Sequence, residues 1–183
     1  MRIDSASEFV DYWQGVRQRT WLVIEHVRAE DLEWTYAPER WTIGDLMRHL
    51  AGIERDMYAE NVTGRPSRYA GHGRELADGL DAVREYHQRK HTESVAIFGA
   101  LANEQLAGRC TTPAGTRITT YKWLRAMVEH EAHHRGQLYM MLGMRGVRVQ
   151  PLYGLTEEEV KARSVASGTE AGREPQTENR RTG

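Results

Sequence analysis

The chain has 183 residues, 39% of them hydrophobic and 28% charged, a size and composition suited to one domain with one hydrophobic core. Its 25 Lys and Arg against 26 Asp and Glu leave a net charge of −1, which gives no electrostatic footprint for nucleic acid or an anionic membrane, and no partner of either kind is expected. The single cysteine, Cys110, excludes an internal disulfide; no apolar run approaches the ~20 residues that span a bilayer, and the opening Met1-Arg2-Ile3-Asp4-Ser5 lacks a signal peptide's apolar stretch, so a cytoplasmic location is expected.

Phe9, Trp13, Val16, Thr20, Val23, Ile24 and Val27 recur at spacings of three and four and predict an amphipathic first helix. The polar stretch from Asp31 to Arg40, with Pro38, reads as a connection. A second helix is expected after Thr42 as N-cap, with Asp45 three residues on and an apolar face of Ile43, Leu46, Met47, Leu50, Ile53 and Met57. Gly64, Pro66, Gly71 and Gly73 make Asn61 to Arg74 a loop.

The third helix is expected over Leu76 to Ala102, with the stripe Leu80, Val83, His87, His91, Val95, Phe98 and Leu101. From Gly108 to Thr120 the pattern breaks, and Thr and Ile around Pro113-Ala114-Gly115 predict a short hairpin-like excursion. A fourth helix follows from Tyr121 to Met144. Thr156 and Glu159 have capping-box spacing for a short fifth helix. Beyond Ser167 almost no apolar residue remains, so a domain over 1–165 and a disordered tail over 166–183 are expected. Four long amphipathic helices imply an all-α four-helix bundle, a fold that builds metal sites from side chains on facing helices.

Residues 130–134 read His-Glu-Ala-His-His. His130 and His134 are four apart and share a helical face, so both rings can reach one ion. The string also satisfies HExxH, the pattern of zinc proteases. With ~100° per residue and His130 at zero, Met141 and Trp123 fall near ~20°, His134 near ~40°, Met127 near ~60° and Leu138 near ~80°. The apolar arc is centred close to His134, and His133, near −60°, lies at its edge. Two buried imidazoles need partners for four ring nitrogens, which points to metal. A third ligand is offered by His49, which borders the apolar stripe of the second helix. Three imidazoles leave coordination positions open, an arrangement suited to chemistry. His87 and His91 form another i, i+4 pair, read either as a solvated helix edge or as lining of the same pocket. Glu131, near ~100°, falls inside the apolar arc; an unpaired carboxylate there would be costly, which makes it a candidate general base. Cys110 reads as a small packing residue.

Trp41-Thr-Ile-Gly-Asp-Leu-Met-Arg-His49-Leu with Glu54, and His130-Glu-Ala-His-His134-Arg-Gly-Gln137-Leu followed by Leu142-Gly-Met-Arg-Gly146, resemble the second- and fourth-helix signatures of the DinB/YfiT-like superfamily. The ending His-Arg-Gly-Gln is the specific part, and the resemblance spans roughly residues 5–165. It implies a bundle whose divalent metal, zinc or nickel, is held by His49, His130 and His134, and a homodimer. It also implies thiol S-transferase chemistry with a low-molecular-weight thiol such as bacillithiol or mycothiol acting on a small-molecule electrophile. The alternatives are a metal-dependent hydrolase, with Glu131 as base on a metal-activated water, and a non-catalytic metal- or ligand-binding stress protein. A zinc protease is disfavoured, because strand pattern is nearly absent and Glu157-Glu158-Glu159 reads as a helix start.

Overall fold

The Ser5 hydroxyl accepts the Glu8 backbone N–H and starts α1, Ala6–Ile24, in a computed structural model that describes residues 3 and 5–170, with side chains to residue 165. Thr42 and Asp45 cap the second helix reciprocally. Thr42 Oγ1 accepts the Asp45 N–H and Asp45 Oδ2 accepts the Thr42 N–H, both at 2.9 Å, and α2 runs over Ile43–Ile53.

At Glu54–Tyr58 this helix widens into a π turn, then resumes as α3, Ala59–Val62. A π turn inserts one residue into the helical register. Glu54, four residues after Leu50, already lies on the inward face of the regular helix and is buried; the slip moves the next inward position from Met57, only partly buried, to Tyr58, which is buried.

The other long helices are α4, Leu80–Gly99, and α6, Thr120–Met144. Between them lie a short helix that the sequence pattern did not suggest, α5, Asn103–Ala107, and an antiparallel hairpin of β1, Arg109–Thr111, and β2, Arg117–Thr119, with Cys110 opposite Ile118. Helix α1 packs on α4 and α6, and α2 packs on the same two. The chain therefore crosses a diagonal of the bundle twice, through residues 25–42 and 100–119.

Trp13, Phe9, Phe98, Leu124 and Met127 fill one end of the core, with Phe9 and Phe98 edge to face at 5.5 Å between centroids. Arg48, fully buried, donates to Glu33 and to the Ala77 carbonyl, which ties the connections on either side of α2 to its first turns.

This unit ends at Val149, and a second begins at Gln150. In the second, Thr156 and Glu159 exchange capping hydrogen bonds and open α7, Glu157–Glu170. Residues 171–183 lie outside the described residues. Among the described residues no helix is long and apolar enough to cross a membrane.

Candidate metal centre

Helix α2 supplies His49, and α6 supplies His130 and His134 one turn apart. Their Nε2 atoms meet: His49 to His130 at 3.0 Å and His130 to His134 at 3.1 Å. A ligand nitrogen from each of the three lies within 4.8 Å of the others. Two metal–nitrogen bonds of ~2.1 Å span about 3.0 Å at a right angle and about 3.4 Å at a tetrahedral one. Both separations fit two bonds to a single ion, so the three histidines could hold one.

The second nitrogens of two of these rings are anchored. His134 Nδ1 lies 2.6 Å from Gln137 Oε1. That oxygen can only accept, so Nδ1 carries the proton and Nε2 keeps its lone pair. His49 Nδ1 lies 2.6 Å from the Tyr69 hydroxyl, and an N–H donated to that oxygen frees Nε2 in the same way. Tyr69 reaches this position because residue 52 is glycine: a Cβ there would lie 3.3 Å from both the Tyr69 ring and the Tyr86 hydroxyl.

Desolvation is the main reason that the pKa of His49 is pushed down to about 3, with the charges of His130, His134 and His72 adding to it. Desolvation likewise brings His130 down to about 4, helped by His134 and His133. His134 is lowered too, by burial first; its bond to Gln137 and the charge of Glu131 oppose the shift. At neutral pH the rings are neutral, the state in which imidazole binds metal. Trp41 stacks near-parallel on His134 at 5.9 Å, lies 4.8 Å from the His49 ring and 4.2 Å from His72, and Tyr58 stands 6.2 Å from His130. Aromatic rings thus wall the cluster on two sides. His133 is exposed.

Glu131 faces the other way. Its two carboxylate oxygens each lie 2.8 Å from Arg17 Nη1, and Arg17 Nη2 lies 2.9 Å from Glu54 Oε2. Glu54 also accepts from the Trp13 indole at 2.8 Å and contacts His91 Nδ1 at 2.9 Å. Burial alone would lower the Arg17 pKa, but the Glu131 and Glu54 charges outweigh it and raise it. Burial would likewise raise Glu54, and Arg17 together with His91 brings it down instead. Arg17, Glu54 and Glu131 form a paired network across the core.

His87 and His91 sit between α1 and α4. They line a cavity of ≈ 260 Å³ with Arg17 and Trp21, and neither joins the three-histidine cluster. Burial, then Arg17 and His91, hold the His87 pKa well below its usual value. The cluster's neighbours Tyr69 and His72 were missed by sequence reasoning, since a Gly-rich loop carries no periodicity that orients its side chains. Arg17 was missed as well. A charge on an otherwise apolar face, at the spacing of Trp13 and Val16, was the available signal.

The sequence matches the family model described as the DinB family over residues 2–175. The chain belongs to the DinB family. Two DinB-like crystal structures share the fold. One, from Bacillus cereus ATCC 10987, superposes with a TM-score of 0.67 at 16% identity, over 78% of this chain and 94% of that one. The other, YjoA from Bacillus subtilis, gives 0.62 at 18% identity, over 79% of this chain and 96% of that one. A comparison with curated proteins gave no match. For this DinB-family chain the fold is therefore shown, while its chemistry rests on the residues of the site.

Proposed function

We propose that this DinB-family protein binds one divalent metal ion, zinc or nickel, through His49, His130 and His134, and uses it as a thiol S-transferase. The observation that carries the reading is the convergence of three neutral imidazoles, with His130 Nε2 3.0 Å from His49 Nε2 and 3.1 Å from His134 Nε2, and with the His134 and His49 rings held by Gln137 and Tyr69. Three protein ligands leave coordination positions open, as catalytic sites require.

When bound, such an ion lowers the pKa of a coordinated thiol and supplies a thiolate at neutral pH. The thiol would be a low-molecular-weight cofactor of the bacillithiol or mycothiol type, delivered to a small-molecule electrophile. The chain's own residues orient and enclose. Gln137 and Tyr69 fix the rings that carry the donor atoms, and Trp41 and Tyr58 limit the approach of water. Cys110 fits no nucleophilic role: it is buried, and desolvation pushes its thiol pKa up. Hydrolysis with Glu131 as base is less well supported, because both of its oxygens are occupied by Arg17. A homodimer, as the family resemblance implies, completes the reading and is read directly from light scattering of the purified protein.

The test is a transfer assay with monochlorobimane as electrophile and a panel of low-molecular-weight thiols. Metal-dependent turnover with one of them, lost in His49→Ala and His134→Ala, supports the transferase. Absence of turnover with every thiol refutes it.

A further inference from the structure

A second cluster of charge lies apart from the histidines. Glu60, in α3, is 1% exposed and accepts hydrogen bonds from Arg55, Arg65 and Arg68, the last at 2.6 Å. Arg55 also donates to Glu93 at 2.9 Å. Burial alone would raise the Glu60 pKa, but the hydrogen bonds from the three guanidiniums bring it down to about 2. One buried carboxylate is neutralised by one cation. Here three guanidiniums meet it, and three positive charges against Glu60 and Glu93 leave a formal excess of +1.

That excess lines a cavity. Arg55, Arg65 and Arg68, with Glu60 and Pro66, wall a space of ≈ 320 Å³. A guanidinium carries five N–H donors in a planar fork that matches a phosphate or carboxylate. Among the described residues the guanidiniums of Arg65 and Arg68 each donate a single hydrogen bond, to Glu60, and the two side chains are 54% and 63% exposed. Glu60 is thus a hub that holds three forks in one place while most of their donors remain available.

Arg65 and Pro66 are shared with a neighbouring cavity of ≈ 480 Å³, where Asn61, Ser67, Thr111 and Thr112 contribute polar side chains. Asn61 is 1% exposed. Its Nδ2 donates to the Arg65 carbonyl at 3.1 Å, and its Oδ1 has no partner. A buried acceptor without a donor is uncommon, and it belongs to a residue that lines this cavity. The polar side chains set in the lining of the second cavity and the positive wall of the first point to one kind of molecule.

We propose that Arg55, Arg65 and Arg68 bind the oxyanion of a hydroxylated small molecule, a phosphate or a carboxylate, whose hydroxyl-bearing body occupies the cavity beside Asn61, Ser67, Thr111 and Thr112. The site does not depend on the metal reading, since none of its residues belongs to the histidine cluster.

Isothermal titration calorimetry of the full chain at low ionic strength tests it, with glucose 6-phosphate, gluconate, inorganic phosphate and glucose as probes. At least one of the two hydroxylated anions is expected to bind at least tenfold more tightly than glucose and than inorganic phosphate. The tighter of them names the oxyanion. Arg65→Gln and Arg68→Gln, at exposed positions where folding is preserved and is checked by circular dichroism, should each weaken that binding at least tenfold. Lys122→Gln, the same charge change at an exposed position of α6, should leave it unaltered, as should His130→Ala. The proposal is overturned if neither hydroxylated anion binds or if glucose binds as well as they do. Wild-type affinity in both arginine variants, or an equal loss in Lys122→Gln, also overturns it. Loss of binding in His130→Ala would move the anion to the metal centre, and inorganic phosphate binding as tightly as glucose 6-phosphate would remove the hydroxyl cavity from the site.

Discussion

Glu131 lies beside a candidate ligand in the HExxH string, and its replacement separates a structural carboxylate from a catalytic base. In Glu131→Gln the two 2.8 Å contacts to Arg17 lose their charge, while Arg17 keeps Glu54 at 2.9 Å. Breaking a buried ion pair costs ~3–5 kcal/mol, and the retained Glu54 contact and the amide oxygen of Gln place this variant near ~3 kcal/mol. Arg17→Met leaves two buried carboxylates uncompensated and should cost ~5 kcal/mol or more. For a chain of this size, where each kcal/mol moves Tm by ~2–4 °C, the expected losses are ~6–12 °C and ~10–20 °C. Circular dichroism melts supply the stability, and titration with the metal, followed by the thiol-transfer assay, supplies the function. The double variant Arg17→Met/Glu131→Leu should lose less than the sum of the single changes, because the two groups share one interaction. If Glu131→Gln melts within ~2 °C of wild type and yet loses turnover by more than ~100-fold, Glu131 is a reacting group and the pairing argument fails.

Gln137→Ala and Tyr69→Phe remove the partners that orient His134 and His49 and should weaken metal affinity ~10–100-fold, read by competition with a chelator. His133→Ala, at an exposed position, should leave metal stoichiometry unchanged in the same titration. Glu60 should make stability acid-sensitive: its folded pKa of about 2 lies below the usual 4.5, so the contribution is complete above 4.5 and is lost as pH falls towards 2. It amounts to at most ~3 kcal/mol and is reduced by solvent screening, because Arg65 and Arg68 are more than half exposed. Urea melts between pH 5 and 2.5 should therefore fall less steeply in Glu60→Gln than in wild type.

Regular periodicity made the helices readable. Phe9, Trp13 and Val16 mark α1, Thr42 with Asp45 marks the start of α2, and Thr156 with Glu159 marks the start of α7. The helical wheel of α6 separated His130 and His134 from His133 because all three lie on one uninterrupted helix. Where the period slips, the reading slipped with it. The π turn at Glu54–Tyr58 turned Tyr58 inward in place of Met57, and nothing in the local pattern marks that extra residue. The partner of Glu131 was illegible for another reason: Arg17 is 114 positions away, and only the packing of α1 on α6 brings them together. His87 and His91 were read as a solvated edge or as lining of the pocket at His49; they line a cavity with Arg17 and Trp21 of α1, and His91 also contacts Glu54. Tyr69 and His72 belong to an irregular segment, whose path depends on close approaches such as that permitted by Gly52.

Metal content is the most direct measurement of the central claim. Wild-type protein, loaded with zinc or nickel and freed of excess, is expected to carry one ion per chain by elemental analysis, and folded His130→Ala almost none. A wild-type chain that retains no stoichiometric metal, or a His130→Ala variant that retains as much as wild type, would contradict it.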